Sequence, residues 1–202
     1  MLRLLGVPST SLRGWKDKRA GRLDRLLAAH QTLSVASNGQ WITDELTHSL
    51  ILRLASEFQG FARDLHNETT AAVVTAIAPD NPRRQTALEA PYLLGRRLTR
   101  GNAEPNSLQD DFLLFGVELW TALDRRHPSR APRWRQGLGA LNVARNGLAH
   151  DDQSKLTRLA TIGWQLTLLD ARRWWVLMDG LAAGMDDVVG DHLRQEFGVP
   201  PW

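Results

Sequence analysis

Apolar residues recur along this chain at steps of three and four, which is the spacing of one face of an α-helix. The clearest run contains Leu46, Leu50, Leu54, Phe58, Phe61 and Leu65. It predicts a long helix that follows Thr43 as the N-cap and ends near Ala78, before Pro79. Alternation typical of strands is weak, and leucine, alanine and arginine dominate, so the predicted fold class is all-α.

The same periodicity predicts six further helices. They are expected over Trp15–Thr32, Arg84–Leu98, Ser107–Arg126, Arg133–His150, Thr157–Gly184 and Asp186–Phe197. The segment Ser34–Gln40, which includes Asn38-Gly39, is predicted to be a loop. Together these elements predict an up-and-down helical bundle over residues 41–202, preceded by a basic helical extension over residues 1–40.

Composition narrows the class of protein. The chain has 202 residues, of which 43% are hydrophobic, as in ordinary globular proteins. No run approaches the roughly 18 consecutive apolar residues of a membrane span, so we expect no membrane association. A cytoplasmic location is the default expectation for a chain without cysteine. The chain has no cysteine, which excludes disulfides and thiolate metal sites. No histidine and carboxylate spacing matches a helix-borne metal site, and we predict no cofactor.

The charge pattern leaves two interpretations open. The net charge is only +3, and only three of the 25 basic residues are lysine. Arginine suits bidentate contacts with phosphate, but a biased genome composition explains the same preference. The basic run Arg13–Arg25 is either an RNA-binding or partner-binding helix, or a solvated helix face.

One constellation looks chemical: Arg145 and His150, near the end of a predicted helix. Arginine can neutralise a phosphate, and histidine can transfer a proton at neutral pH. A five-residue step rotates a side chain by roughly 140°, so the two do not share a helix face. They can converge if the helix deforms at Gly147 or ends before Asp151-Asp152, or if two copies share one cleft. Alternatively, the histidine contacts the last helix carbonyls beside an exposed arginine.

The run Arg145-Asn146-Gly147-Leu148-Ala149-His150 resembles the signature of HEPN-domain ribonucleases. That signature is an arginine, a polar residue, three more residues and a histidine, late in a helical bundle. The segment Ala55–His66 is similar to the first long helix of HEPN proteins of the RiboL-PSP kind. The resemblance covers about residues 41–197 and leaves the N-terminal helix unexplained.

The resemblance implies a metal-independent endoribonuclease that forms a homodimer and pools two motifs in one cleft. His150 would act as general acid or base at the ribose 2′-hydroxyl and the leaving 5′-oxygen. Arg145 would bind the scissile phosphate and stabilise its growing charge. Asn146 would orient the phosphate or the histidine. The expected product is a 2′,3′-cyclic phosphate. The implied role is that of a toxin or antiviral defence effector with an antitoxin or regulatory partner.

A second set of polar residues lies on the long helix. Glu57, Arg63 and His66 are candidates for binding the RNA substrate, or they form a polar stripe at the surface or at an interface. Two further alternatives for the whole chain stay open. One is a catalytically inactive HEPN-like module that binds RNA or another protein. The other is a helical structural subunit in which Arg145 and His150 only make interface hydrogen bonds.

Overall fold

The structure, a computed structural model, describes residues 7–36, 40–198 and 202, and these contain no β-strand. A π-helical turn, Trp15–Arg19, lies between the first two helices. The helices are α1 (Thr10–Gly14), α2 (Ala20–Ala36), α3 (Gln40–Ile77), α4 (Pro82–Leu94), α5 (Arg97–Arg100), α6 (Pro105–Leu113), α7 (Leu119–Arg126), α8 (Ala131–Ala149), α9 (Gln153–Thr161) and α10 (Leu168–Phe197). The predicted all-α helical bundle is confirmed.

Helix α3 is the long helix that the periodicity predicts, and it forms the centre of the bundle. Most of its apolar stripe is buried, including Leu50, Phe58 and Leu65, and Leu46 is half-buried. Helices α8 and α10 pack against it and against each other, and α2 packs along it as well. The predicted loop Ser34–Gln40 is shorter in the structure, since α2 extends to Ala36 and α3 begins at Gln40. The predicted Asn38-Gly39 turn lies outside the described residues.

The N-terminal helical segment packs into the same hydrophobic core as the bundle. Trp15 is only 1% exposed and meets Phe58 edge-on, with the ring centroids 5.9 Å apart. Its indole N–H donates to Asp179 Oδ1 on α10 at 3.0 Å. The predicted start of this helix at Trp15 is too late, because the Ser9 side chain accepts the N–H of Leu12 at 2.9 Å and caps α1.

The helix predicted over Ser107–Arg126 is instead two helices, α6 and α7. Gly116 separates them in the left-handed region, with φ of 80°. A residue with that backbone conformation cannot continue a right-handed helix, and glycine adopts it without steric cost. The spacing of apolar residues continues across Gly116, because Phe115 and Val117 on either side of this glycine are both buried.

The helices predicted over Thr157–Gly184 and Asp186–Phe197 also have wrong boundaries. Helix α9 ends at Thr161, and Thr167 with Asp170 forms a capping box that begins α10. Helix α10 then continues unbroken past Gly184 to Phe197. A side chain at Gly184 would collide with the Trp134 ring, so this glycine permits close helix packing instead of ending the helix. Within the described part of the chain, no helix combines the length and the apolar character needed to cross a bilayer.

Candidate functional site

Helix α8 ends at Ala149, inside the segment from Arg145 to His150. His150 is the C-cap, and Asp151 follows in the left-handed region with φ of 51°. The N–H of Asp152 donates to the carbonyl of Gly147 at 2.9 Å, which closes a Schellman turn. Asp152 then caps α9 by accepting the N–H of Lys155 at 3.2 Å. The chain therefore changes direction abruptly after α8, and His150 lies at the turn between α8 and α9.

Gly147 admits helix α9 against the last turn of α8. A Cβ atom at this position would lie 3.0 Å from Leu156 Cγ, which is tighter than ordinary van der Waals contact. From the sequence alone, Gly147 is a position at which the helix could deform. The helix in fact continues through it, and its missing side chain makes room for Leu156.

The Arg145 side chain is half-buried, and the side-chain amide of Asn146 holds it in place. Its Nη1 donates to Oδ1 of Asn146 at 2.9 Å, and Asn102 Nδ2 donates to the same oxygen at 2.9 Å. Among the described residues, no carboxylate pairs with Arg145. A guanidinium has five N–H donors, so most of them stay available for an anion.

Hydrogen bonds from two side chains hold the loop that contains Asn102 in place. The buried Asn142 on α8 donates to the carbonyl of Ala103 at 2.9 Å. Gln59 on α3 donates to the carbonyl of Gly101 at 2.6 Å. Sequence reasoning missed Asn102, Asn142 and Gln59. Asn142 could have been found, because it precedes Asn146 by four residues and shares its helix face. Asn102 could not, because it reaches the site across 44 residues of chain.

The His150 side chain is exposed at the helix end. No hydrogen bond joins it to Arg145 or to any other side chain that the structure describes. The neighbouring aspartates are engaged elsewhere: Asp151 accepts from Gln153 at 3.0 Å, and Asp152 pairs with Lys155 at 2.8 Å. Hydrogen bonds from Lys155 and other neighbours hold the pKa of Asp152 well below its usual value. At the end of α8, one chain therefore places an Arg145 side chain held by hydrogen bonds and an exposed His150 side chain. No hydrogen bond joins these two side chains.

The structure does not bring Glu57, Arg63 and His66 into one strip. Glu57 is 2% exposed and faces the N-terminal segment, where Arg19 donates to it at 2.6 Å. Arg63 is exposed on α3. His66 is fully buried, so in this conformation it cannot touch RNA. Only Arg63 of the three is open to a ligand.

His66 is enclosed by aromatic rings, with ring centroids 5.8 Å from Phe112 and 4.7 Å from Phe115. Neither ring nitrogen makes a hydrogen bond of ordinary geometry to another described residue. Burial lowers the pKa of His66 to about 4, and the positive charge of Arg96 contributes. The imidazole is therefore neutral at physiological pH and serves as a packing group.

Two further findings bear on the site. In the described part of the chain, histidine and carboxylate side chains form no cluster that could hold a metal ion. Comparison with protein-family models, curated proteins and solved structures found no match to this chain. The geometry of the site and the resemblance of its motif are therefore the grounds for a functional proposal.

Proposed function

We propose that this protein is a metal-independent endoribonuclease that cuts RNA through a composite site of Arg145 and His150 at a homodimer interface. One observation carries the proposal. In the last turn of α8, Arg145 is held through Asn146 and Asn102 with its charge unpaired among the described residues, and His150 stands exposed at the same helix end.

The chemistry follows from these two side chain types. A neutral His150 takes the proton of the ribose 2′-hydroxyl, and the 2′-oxygen attacks phosphorus. A second, protonated His150, from the other copy, gives its proton to the leaving 5′-oxygen as the P–O bond breaks. Arg145 binds the phosphate oxygens and stabilises the negative charge that grows on them. The products are a 2′,3′-cyclic phosphate and a 5′-hydroxyl.

The requirement for two copies is supported by exposed apolar side chains. Within one chain Arg145 and His150 share no hydrogen bond among the described residues, and a second copy would supply the second histidine that the proposed mechanism uses. Val143, two residues before Arg145, is 37% exposed, and Leu169 and Val176 on the adjoining α10 are 76% and 68% exposed. Covering such side chains contributes favourably to association.

The activity is tested on an end-labelled RNA with excess EDTA present. We expect cutting that leaves cyclic phosphate ends, whereas a DNA of the same sequence stays intact. His150→Ala and Arg145→Ala should each lower the rate by at least about 100-fold. The matched control is Arg133→Ala, an exposed arginine at the other end of α8, which should cut normally. Comparable cutting of DNA, or a need for divalent metal, would overturn the proposal.

The composite site is tested by subunit mixing. Wild-type protein is exchanged with the double variant Arg145→Ala, His150→Ala at a constant total concentration. If each site needs both copies, only dimers of two wild-type chains are active, and the rate falls with the square of the wild-type fraction. A rate that falls in simple proportion would show that one chain suffices.

The biological role is proposed from the resemblance: a cytoplasmic toxin or antiviral defence effector, held in check by an antitoxin or another regulatory partner. Expression in a bacterial host should arrest growth, since uncontrolled RNA cleavage is harmful. The His150→Ala variant, produced at the same level, should not. Equal growth of both strains would contradict this role.

A catalytically inactive RNA-binding or protein-interaction module is the second candidate. It is favoured by the absence of a hydrogen bond between Arg145 and His150 among the described residues. Such a protein would shift RNA in a gel and leave it intact. A purely structural subunit would do neither, and His150→Ala would then change its assembly.

A further inference from the structure

A second cationic feature lies between the N-terminal segment and helix α3. It is a pocket of about 360 Å³, and none of its lining residues belongs to the motif at the end of α8. Five arginines from three parts of the chain line it: Arg19, Arg22, Arg53, Arg63 and Arg96. The described lining also holds two carboxylates, those of Glu57 and Asp64, so among these residues positive charge is in excess by three.

A buried carboxylate organises three of these arginines. Glu57 accepts from Arg19 at 2.6 Å, from Arg22 at 3.1 Å and from Arg53 at 2.5 Å. Burial raises the pKa of Glu57, but these hydrogen bonds outweigh it and the pKa lies below its usual value. Glu57 is therefore ionised at neutral pH and holds guanidinium groups of two helical segments in fixed positions.

Gly60 makes room for one of these groups. A Cβ atom at Gly60 would lie 2.7 Å from the guanidinium carbon of Arg19. Without it, the guanidinium lies directly against the backbone of α3, where Asp64 also accepts from it at 2.6 Å. The missing side chain at Gly60 thus shapes the floor of the pocket.

Among the described residues, no carboxylate is bonded to the other two arginines. Arg63 is exposed and forms no ion pair with any described residue. Arg96 is 9% exposed, and its hydrogen bonds go to neutral acceptors, Asn67 Oδ1 at 2.5 Å and Thr99 Oγ1 at 2.9 Å. Burial lowers the pKa of Arg96, Asp111 opposes this, and the charge of Arg63 lowers it again. An anion bound between Arg63 and Arg96 would relieve this repulsion.

The lining also indicates which anion fits. Guanidinium groups match the oxygens of a phosphate in bidentate geometry, and Ser56 and Asn67 add neutral donors. None of the described residues that line the pocket is aromatic, so the pocket offers no ring on which a nucleobase could stack. We propose that this pocket is a phosphate-binding site, which takes the phosphate group of a small phosphorylated compound or of an RNA backbone.

The test uses pyrophosphate as the probe and the full chain as the protein. Isothermal titration calorimetry at constant ionic strength should show saturable binding, whereas sodium chloride in its place should give no such signal. Arg63→Ala should weaken binding by about tenfold, because it removes one charge-assisted contact. The matched control is Arg83→Ala, an exposed arginine on α4 outside the pocket, which should bind like the wild type.

A second variant tests the pocket without changing Arg63. Gly60→Ala should displace the Arg19 guanidinium and weaken pyrophosphate binding as well, while circular dichroism confirms that the helices remain. The proposal is overturned if pyrophosphate does not bind saturably, or if the two arginine variants behave alike.

A parallel titration identifies the source of the phosphate. The probe is a short 2′-O-methyl RNA, which cannot be cut through its 2′-oxygen. If Arg63→Ala weakens both probes, the pocket holds RNA backbone. If it weakens pyrophosphate alone, the pocket serves a small phosphorylated ligand. The site does not depend on the proposed nuclease activity, since His150→Ala should bind pyrophosphate normally even if the protein cuts no RNA.

Discussion

At the scale of single residues, the backbone conformation of Asp151 forms the turn that leaves His150 exposed. It adopts φ of 51°, a left-handed conformation that costs most residues with a Cβ roughly 1–2 kcal/mol. Glycine is the usual residue at this position of a Schellman turn. An aspartate here accepts a hydrogen bond from Gln153 at 3.0 Å, but both groups are exposed and the bond adds little stability.

Asp151→Gly should therefore stabilise the protein, raising the free energy of unfolding by about 1 kcal/mol. Urea denaturation followed by circular dichroism measures this difference. Asp80→Gly is the control: Asp80 lies in an exposed turn and is not in the left-handed region, so the added chain freedom should lower stability slightly. A loss of stability in Asp151→Gly would contradict this account of the turn.

At the scale of helices, the site depends on how closely α9 approaches α8. Two glycines of α8 differ in what surrounds them. At Gly147 an added Cβ would press on Leu156 of α9, whereas at Gly139 it would meet no described residue within 4 Å. Gly139 lies in the interior of α8, where glycine costs about 0.5–1 kcal/mol relative to alanine, and Gly147 lies in the last turn of the same helix.

The two alanine variants should therefore have opposite effects. Gly139→Ala should stabilise the protein by about 0.5–1 kcal/mol, because only the helix propensity changes. Gly147→Ala should destabilise it by about 1–3 kcal/mol, because Leu156 must move away. Urea midpoints of the two variants and the wild type are the measurement. Effects of the same sign would mean that α9 does not pack closely at Gly147.

At the scale of the whole molecule, a single hydrophobic core joins the N-terminal segment to the bundle, and one buried histidine makes its stability depend on pH. In the folded state burial lowers the pKa of His66 to about 4, whereas an unfolded histidine has a pKa near 6.5. Between these values the unfolded state binds more protons. The contribution of His66 is therefore fully present above pH 6.5 and is lost as the pH falls towards 4.

The variant His66→Phe should remove this dependence. It keeps an aromatic ring among Phe112 and Phe115 and loses no hydrogen bond of ordinary geometry to a described residue. As the pH falls from 6.5 to 4, its stability relative to the wild type should grow by about 1.4 kcal/mol per pH unit. Urea denaturation at several pH values measures this, and parallel profiles would contradict it.

Comparison with the wild type is needed because a second buried group acts in the opposite sense. Burial raises the pKa of Asp186 to about 6, although hydrogen bonds from Ser9 oppose the shift. Its ionisation weakens the fold as the pH rises from about 4 to 6. Since Asp186 is unchanged in His66→Phe, its effect cancels in the difference between the two proteins.

The sequence by itself determined the class of the fold and the position of the motif. Helix hydrogen bonds run between residues four apart, so the spacing of apolar side chains predicts α3 from residues close in the chain. The end of α8 after Arg145 and His150 was also predictable, because the Asp151-Asp152 pair that leaves the helix is adjacent in sequence. These features follow from local interactions.

Only the tertiary structure decided which distant groups meet. Asn102 comes to Asn146, Arg19 to Glu57, and the rings of Phe112 and Phe115 to His66, each across a long stretch of chain. Apolar periodicity does not register such partners, nor a break such as Gly116 between two helices with buried residues on both sides. Burial and charge pairing depend on packing in three dimensions, and that packing separated Glu57 and His66 from the helix end that holds Arg145 and His150.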